Sequence, residues 1–170
     1  VGSDHYPDLI VGRFSGESLA DISTQVERSI AYEKIPNAAG NWMRTQLGIA
    51  SQEGTGDDNQ MDWEHIHAIV DSNKSHFNYT HNIEMYDGDT ARIGTTDISG
   101  WPDISMFKDS VNEGVSLINY CGHGSVSGIQ TTSFSSTDVP LLQNYQKLPF
   151  LFVVGCRPGY FDSFTCFAEV

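Results

Sequence analysis

The sequence has few basic side chains and no long apolar run, and both absences exclude classes of function. Nine lysines and arginines stand against 22 aspartates and glutamates, which gives a formal net charge of -13 at pH 7. Such a surface repels nucleic-acid phosphates and favours cationic partners, such as metal ions and basic peptides. No stretch approaches the roughly 18 apolar residues that a membrane-spanning helix needs. We therefore predict no nucleic-acid binding and no membrane span.

Cysteine is also scarce, with only Cys121, Cys156 and Cys166 in the chain. An odd number cannot be paired completely in disulfides, and it suits one free functional thiol. The first residues show neither the basic nor the apolar segment of a signal peptide, and the last four look like the start of a helix. We expect a piece trimmed at both ends from a larger peptide chain, with residues 1–170 forming one domain.

Apolar runs alternate with helical periodicities along the chain, and this alternation predicts the fold class. Buried strands are expected at 8–14, 46–51, 81–86, 115–120 and 149–154, and helices at 18–34, from 62 onward, at 103–112 and at about 137–145. An alternation of this kind is typical of an α/β protein with right-handed crossovers. The prediction is a three-layer αβα sandwich with a mostly parallel sheet.

Two of the predicted strands run directly into a reactive side chain. His123 follows the strand at 115–120, and Cys156 follows the strand at 149–154. The carboxyl ends of neighbouring parallel strands meet at one edge of a sheet, so both side chains are expected there. A thiol needs a neighbouring base or cation to act as a nucleophile at neutral pH, which predicts a Cys/His pair. The N–H groups of Gly124 and Cys156 are the candidate oxyanion donors.

Acidic residues supply the remaining candidates. Glu53 follows the strand at 46–51 and is expected at the same edge of the sheet. Asp62 begins a predicted helix, where a capping role is one interpretation. Two short acidic loops provide oxygen ligands for a structural calcium ion, although solvated loops explain the same pattern. Their carboxylates belong to Asp4, Asp8, Asp57 and Asp58.

Two segments carry a resemblance to a known family. They are Asn119 to Ser125 and 150–156, the second of which ends in the predicted nucleophile, and together they resemble the gingipain family of cysteine peptidases. This family belongs to the caspase-like fold group. Further matching segments are Asp4-His5-Tyr6, 10–15, Ile49-Ala50-Ser51, Glu53-Gly54 and 166–169. The resemblance runs the length of the chain and is closer to the arginine-specific members than to the lysine-specific one.

The resemblance implies a cysteine endopeptidase that cleaves protein or peptide substrates after a basic P1 residue, with arginine preferred. Cys156 matches the nucleophile, His123 the general acid/base and Glu53 an acidic group that orients the histidine. Asp62 matches the carboxylate at the floor of the S1 pocket, which Val154, Cys121 and Gly122 line. The resemblance also implies structural calcium, no cofactor for the chemistry, and a location outside a bacterium or on its surface.

Two departures from the family pattern and two alternatives stay open. Cys121 stands where the arginine-specific members have Thr, and Gly155 replaces the usual Ala, which adds backbone freedom before the nucleophile. One alternative is a structural zinc module held by Cys121, His123, Cys156 and Cys166. The other is a non-catalytic, calcium-stabilised interaction domain of the same fold. For Asp62, the capping role and the pocket role compete.

Overall fold

The computed structural model describes residues 12–34, 39–56, 59–88, 100–162 and 165–170. The chain divides into two compact units, Val1–Pro36 and Asn37–Val170, and each is described by itself. The first unit contains helix α1, Leu19–Lys34, as predicted. The helix begins where Ser18 and Asp21 exchange hydrogen bonds of 2.8 and 3.3 Å. The strand predicted at 8–14 lies mostly outside the described residues, and residues 12–14 form no strand.

Among its described residues, the second unit is built on a four-stranded parallel sheet. Its helices are α2 (Asp62–His76) and α3 (Ile104–Glu113), with single 3-10 turns at Trp42–Arg44, Val139–Leu141 and Phe167–Glu169. In chain order the strands are β1 (Thr45–Ala50), β2 (His81–Tyr86), β3 (Leu117–Cys121), β4 (Gly124–Ser125), β5 (Gly128–Ile129) and β6 (Phe150–Val154). The order in the sheet is β2-β1-β3-β6, while β4 and β5 form an antiparallel hairpin. The four strands predicted within this unit are confirmed.

Helix α2 covers one face of the sheet, and it comes close because β1 carries a glycine beneath it. A Cβ atom on Gly48 would lie 2.8 Å from Cγ2 of Ile66 and 2.9 Å from Cγ2 of Val70. Both of these helix residues are buried, together with Ala50 and Tyr86 at the ends of β1 and β2. Any larger residue at position 48 would push the helix away from the sheet.

Helix α3 belongs to the layer on the opposite face. Leu47 and Ile49 alternate with Gly48 along β1, and they pack in one core with Phe107 and Val111 of α3. The carboxylate of Asp103 caps this helix, because its Oδ1 accepts hydrogen bonds from two backbone N–H groups at 2.8 and 3.0 Å. Hydrogen bonds from the Ser105 hydroxyl and the Met106 N–H hold the pKa of Asp103 below its ordinary value.

A buried carboxylate ties α2 to β2. Glu84 is 5% exposed, and its Oε2 lies 2.6 Å from Nδ1 of His67. The hydroxyl of Tyr86 donates to the same oxygen. His67 therefore has a structural role. None of the helices in the described ranges has the length and apolar character to cross a membrane.

Strand β6 is buried on one face only. Leu151 and Val153 pack against the core shared with α3. On the other face the side chains of Phe150, Phe152 and Val154 are 62, 55 and 64% exposed. The prediction of a buried strand therefore holds for one face only. Its position at the edge of the sheet is the reason, since α2 packs over β1 and its two neighbours.

The connection from β3 to β6 contains no α-helix, so the helix predicted at about 137–145 is wrong. Asp138 accepts hydrogen bonds from the N–H and the hydroxyl of Ser135, at 3.0 and 2.6 Å, and thereby closes a tight turn. Pro140 follows within the 3-10 turn and has no N–H to continue a helix. The last predicted helix is likewise a single 3-10 turn, Phe167–Glu169.

Candidate active site

The register between β3 and β6 continues to the two reactive side chains. Leu117 pairs with Phe150 at the start of the two strands, and Cys121 pairs with Val154 at their ends. Continued beyond this last pair, the same register places His123 opposite Cys156. The N–H of Gly122 donates to the carbonyl of Val154 at 3.1 Å, which holds the strand ends together. The predicted parallel pairing of these two strands is confirmed.

The two loops that leave these strands are packed backbone against backbone. A Cβ atom on Gly124 would lie 2.9 Å from the carbonyl oxygen of Cys156 and 2.6 Å from Cγ of Pro158. A Cβ atom on Gly155 would lie 2.8 Å from the carbonyl oxygen of Gly122. Gly155 therefore has a packing reason as well as the backbone freedom expected from the sequence. The segment that carries His123 and the segment that carries Cys156 therefore lie in close backbone contact, with no room for a side chain at either glycine.

Glu53 reaches the histidine as expected from its place at the end of β1. Its Oε1 lies 3.2 Å from Nε2 of His123, within hydrogen-bond distance. The two side chains are 61 and 60% exposed, so solvent screens the attraction between their charges. The contact therefore adds little to the stability of the fold.

The loop after β6 presents Cys156 at the surface as a free thiol. Arg157 has a φ of +71°, an uncommon conformation for a residue other than glycine. Its carbonyl accepts the N–H of Tyr160 at 3.0 Å, and its guanidinium lies 4.9 Å from the centre of the Tyr160 ring. A tight turn with a cation–π contact therefore fixes the chain directly after the thiol.

Asp62 does not cap helix α2, so that interpretation is wrong. The capping position belongs to Met61, whose N–H donates to Oε2 of Glu64 at 2.8 Å. Asp62 is the first residue inside the helix, and its half-buried carboxylate is turned toward the end of β1. There its Oδ2 accepts a hydrogen bond from the hydroxyl of Ser51 at 2.5 Å. The first turn of a helix also favours the negative charge.

Two of the residues predicted to line the S1 pocket, Cys121 and Val154, lie on the same face of the sheet as α2. Cys121 is paired with Ala50 on one side and with Val154 on the other. Its half-buried side chain packs against the apolar cluster beneath α2 that also contacts Trp63, the neighbour of Asp62.

Ser51 was not identified as a candidate site residue from the sequence. The signal was a short polar residue directly after a run of buried strand positions.

Neither metal hypothesis gains support from the structure. The calcium candidates Asp4, Asp8, Asp57 and Asp58 all lie outside the described residues. The four residues of the zinc alternative are described, and nowhere in the described ranges do three His, Cys, Asp or Glu side chains lie close enough to hold a metal ion. Cys166 is buried, whereas Cys156 is exposed. The zinc alternative is therefore contradicted.

Comparisons with known proteins agree with the fold and the family resemblance. The model of peptidase family C25 matches residues 1–170. Gingipain R2 of Porphyromonas gingivalis is 38% identical over 172 residues, which cover 99% of this chain and 22% of that protein. Gingipain R1 of the same species is also 38% identical, over 99% of this chain and 16% of that protein.

Solved structures give the same result. The crystal structure of the Arg specific cysteine proteinase gingipain R superposes with a TM-score of 0.82 at 36% identity, over 99% of this chain and 37% of that one. The complex of the pro- and mature domains of RgpB from Porphyromonas gingivalis gives a TM-score of 0.81, over 38% of that chain. The predicted family resemblance and fold class are confirmed. The chain spans about a fifth of gingipain R2.

Proposed function

Because the chain belongs to peptidase family C25, we propose that it carries the nucleophile and the S1 carboxylate of a cysteine endopeptidase that cleaves after arginine. The observation that supports this most is the shared strand register, which brings the backbones of His123 and Cys156 together at one edge of the sheet. A relative of known structure is described as an Arg specific cysteine proteinase.

The proposed reaction proceeds through a thioester. The sulfur of Cys156 attacks the scissile carbonyl carbon, and the imidazole of His123 takes the thiol proton and gives it to the leaving amine. Water then attacks the thioester with the imidazole as base, which releases the acid and restores the thiol. Glu53 orients the ring through its 3.2 Å contact. The N–H groups of Gly124 and Cys156 stabilise the oxyanion, each by roughly 3 to 4 kcal/mol.

Asp62 is the proposed ligand of the P1 side chain. Its carboxylate is half-buried and held from one side by Ser51. A fixed, partly desolvated carboxylate matches a planar guanidinium, which donates two parallel hydrogen bonds, better than it matches an ammonium group. The net charge of -13 favours the approach of basic peptides. The half-buried Cys121 and the exposed Val154 form the walls beside it in this proposal.

Reporter peptides test the proposed function in the full-length protein. We expect hydrolysis after Arg, weaker hydrolysis after Lys and none after Glu. Cys156→Ala and His123→Ala should each abolish turnover. Cys166→Ala, a change at a fully buried thiol that the proposed reaction does not use, should preserve it. Turnover that survives in Cys156→Ala would refute the proposed nucleophile, and a folded full-length protein without turnover would favour the interaction domain of the same fold.

We also propose that calcium stabilises the protein through the acidic loops of Asp4, Asp8, Asp57 and Asp58. The support is the family resemblance and the excess of acidic side chains. Removal of calcium with a chelator should lower the melting temperature, and added calcium should restore it. An unchanged melting temperature would contradict this proposal. The chemistry itself is proposed to need no cofactor, and the protein is proposed to act outside a bacterial cell or on its surface.

A further inference from the structure

Ser51 connects three parts of the site through one buried residue. Its side chain, 4% exposed, lies directly after β1. The hydroxyl donates to Oδ2 of Asp62 at 2.5 Å and accepts the N–H of Glu53 at 3.1 Å. The N–H of Ser51 donates to the carbonyl of Cys121 at 3.0 Å. The start of α2, the loop that carries Glu53 and the end of β3 therefore meet at this residue.

The direction of these hydrogen bonds follows from their chemistry. A backbone N–H only donates, so the Ser51 oxygen must be the acceptor for Glu53. The single hydroxyl hydrogen is then available for Asp62, whose Oδ2 accepts it as a carboxylate. Hydrogen bonds to a charged acceptor are shorter and stronger than neutral ones. Among the described residues no other hydrogen bond reaches the Asp62 carboxylate, so this one bond selects its orientation.

A second buried serine shows what a purely structural role looks like. Ser116 is 8% exposed and lies just before β3, at the opposite end of the sheet. Its one hydroxyl hydrogen is shared between the carbonyls of Met43 and Thr45, both at 3.2 Å. Its acceptors are backbone oxygens far along the strands from the candidate active site. Ser51 instead contacts Asp62 and Glu53, two residues with proposed roles in the reaction.

We propose that Ser51 is a positioning residue that sets P1 specificity by fixing the Asp62 carboxylate and the backbone of Glu53 in one arrangement. This inference rests on the proposed function. Without the hydroxyl, the Asp62 side chain loses the contact that selects its rotamer and the geometry for two parallel guanidinium hydrogen bonds. The space is limited, because a Cβ on Gly122 would already lie 3.1 Å from Cβ of Ser51. The informative substitutions are therefore to Ala and Cys rather than to Thr.

The test compares Ser51→Ala with the unsubstituted full-length protein. We expect kcat/KM for Arg reporter peptides to fall by about tenfold or more, mainly through KM, and the inhibition constant of benzamidine to rise by a similar factor. In an Asp62→Ala background the same change should alter KM by less than about twofold, because the acceptor of the hydroxyl is already absent. Ser51→Cys keeps a weak donor of nearly the same size, so its effect should be intermediate.

Ser116→Ala is the matched control, since it removes a buried serine hydroxyl of similar exposure. It should lower the melting temperature and leave KM and benzamidine binding unchanged. The inference is overturned if Ser51→Ala behaves in the same way, or if its effect on KM persists in full without Asp62. If Ser51→Ala does not fold, the comparison of Ser51→Cys with Ser116→Ala decides. If the unsubstituted protein does not cleave after Arg, the proposed function fails first. If Asp62→Ala strongly lowers kcat/KM for Arg peptides while Ser51→Ala matches the control, only this inference fails.

Discussion

Asp62 offers the sharpest separation of a role in specificity from a role in stability. Asp62→Ala removes the proposed partner of the P1 guanidinium, and loss of one partner of a desolvated charge pair costs about 2 to 5 kcal/mol. Because the carboxylate is half-buried, we take about 3 kcal/mol, which corresponds to roughly a hundredfold decrease in kcat/KM for Arg substrates. The loss of folding stability should be smaller. The Ser51 hydrogen bond and the helix-terminal charge together contribute about 1 to 2 kcal/mol.

Asp62→Asn separates the two effects further. The amide oxygen keeps an acceptor for the Ser51 hydroxyl, so the melting temperature should remain close to that of the unsubstituted protein. The negative charge is lost, so kcat/KM for Arg substrates should still fall by more than about tenfold. Steady-state kinetics on Arg and Lys peptides and thermal unfolding measure both quantities. A lower melting temperature with unchanged preference for Arg, in either variant, would refute the pocket role.

Three further predictions concern the support of the site. Gly124→Ala should lower kcat/KM by about tenfold or more, because its Cβ would displace the backbone of the nucleophile. Gly159→Ala has open space around the new atom and should leave kcat/KM unchanged. Equal decreases in kcat/KM for the two variants would refute this explanation. Glu84→Ala should lower the free energy of unfolding by about 3 kcal/mol in urea titrations, since it removes the buried carboxylate that His67 and Tyr86 both contact. Asp71→Ala removes an exposed carboxylate 3.5 Å from His67 and should lower the free energy of unfolding by less than about 0.5 kcal/mol. A larger loss of stability in Asp71→Ala than in Glu84→Ala would contradict this prediction. Burial raises the pKa of Tyr120 above its ordinary value. The neutral phenol therefore contributes folding stability that is fully present below about pH 10 and is lost as the pH rises through the folded-state pKa. Tyr120→Phe should flatten that alkaline decrease, and an unchanged decrease would exclude this residue as its cause.

The strands and their order along the chain were predictable because each is a short apolar run with turn-forming neighbours. The pairing of β3 with β6 followed from two such runs that end in a reactive residue, and the register confirmed it. The exposure of one face of β6 was not predicted. An apolar run such as Phe150–Val154 has the same appearance in a central strand and in an edge strand, and the neighbours decide which faces are covered.

Other features depended on tertiary contacts or turn chemistry that periodicity does not show. The helix expected near Val139 was excluded by Pro140 and by the hydrogen bonds between Asp138 and Ser135. The bond from Ser51 to Asp62 depends on where the start of α2 lies against the end of β1. Sequence spacing alone places Asp62 at a helix start, where capping is the common role, and only the orientation of the carboxylate distinguishes the two interpretations.

The most direct measurement of the central claim is mass spectrometry of the full-length protein after reaction with an arginyl chloromethyl ketone. We predict one adduct, on Cys156, that forms quickly in the unsubstituted protein, slowly in Asp62→Ala and not detectably in His123→Ala. An adduct on Cys121 instead, or labelling of Cys156 that is as fast without His123, would contradict the claim that strand register unites this thiol and this imidazole.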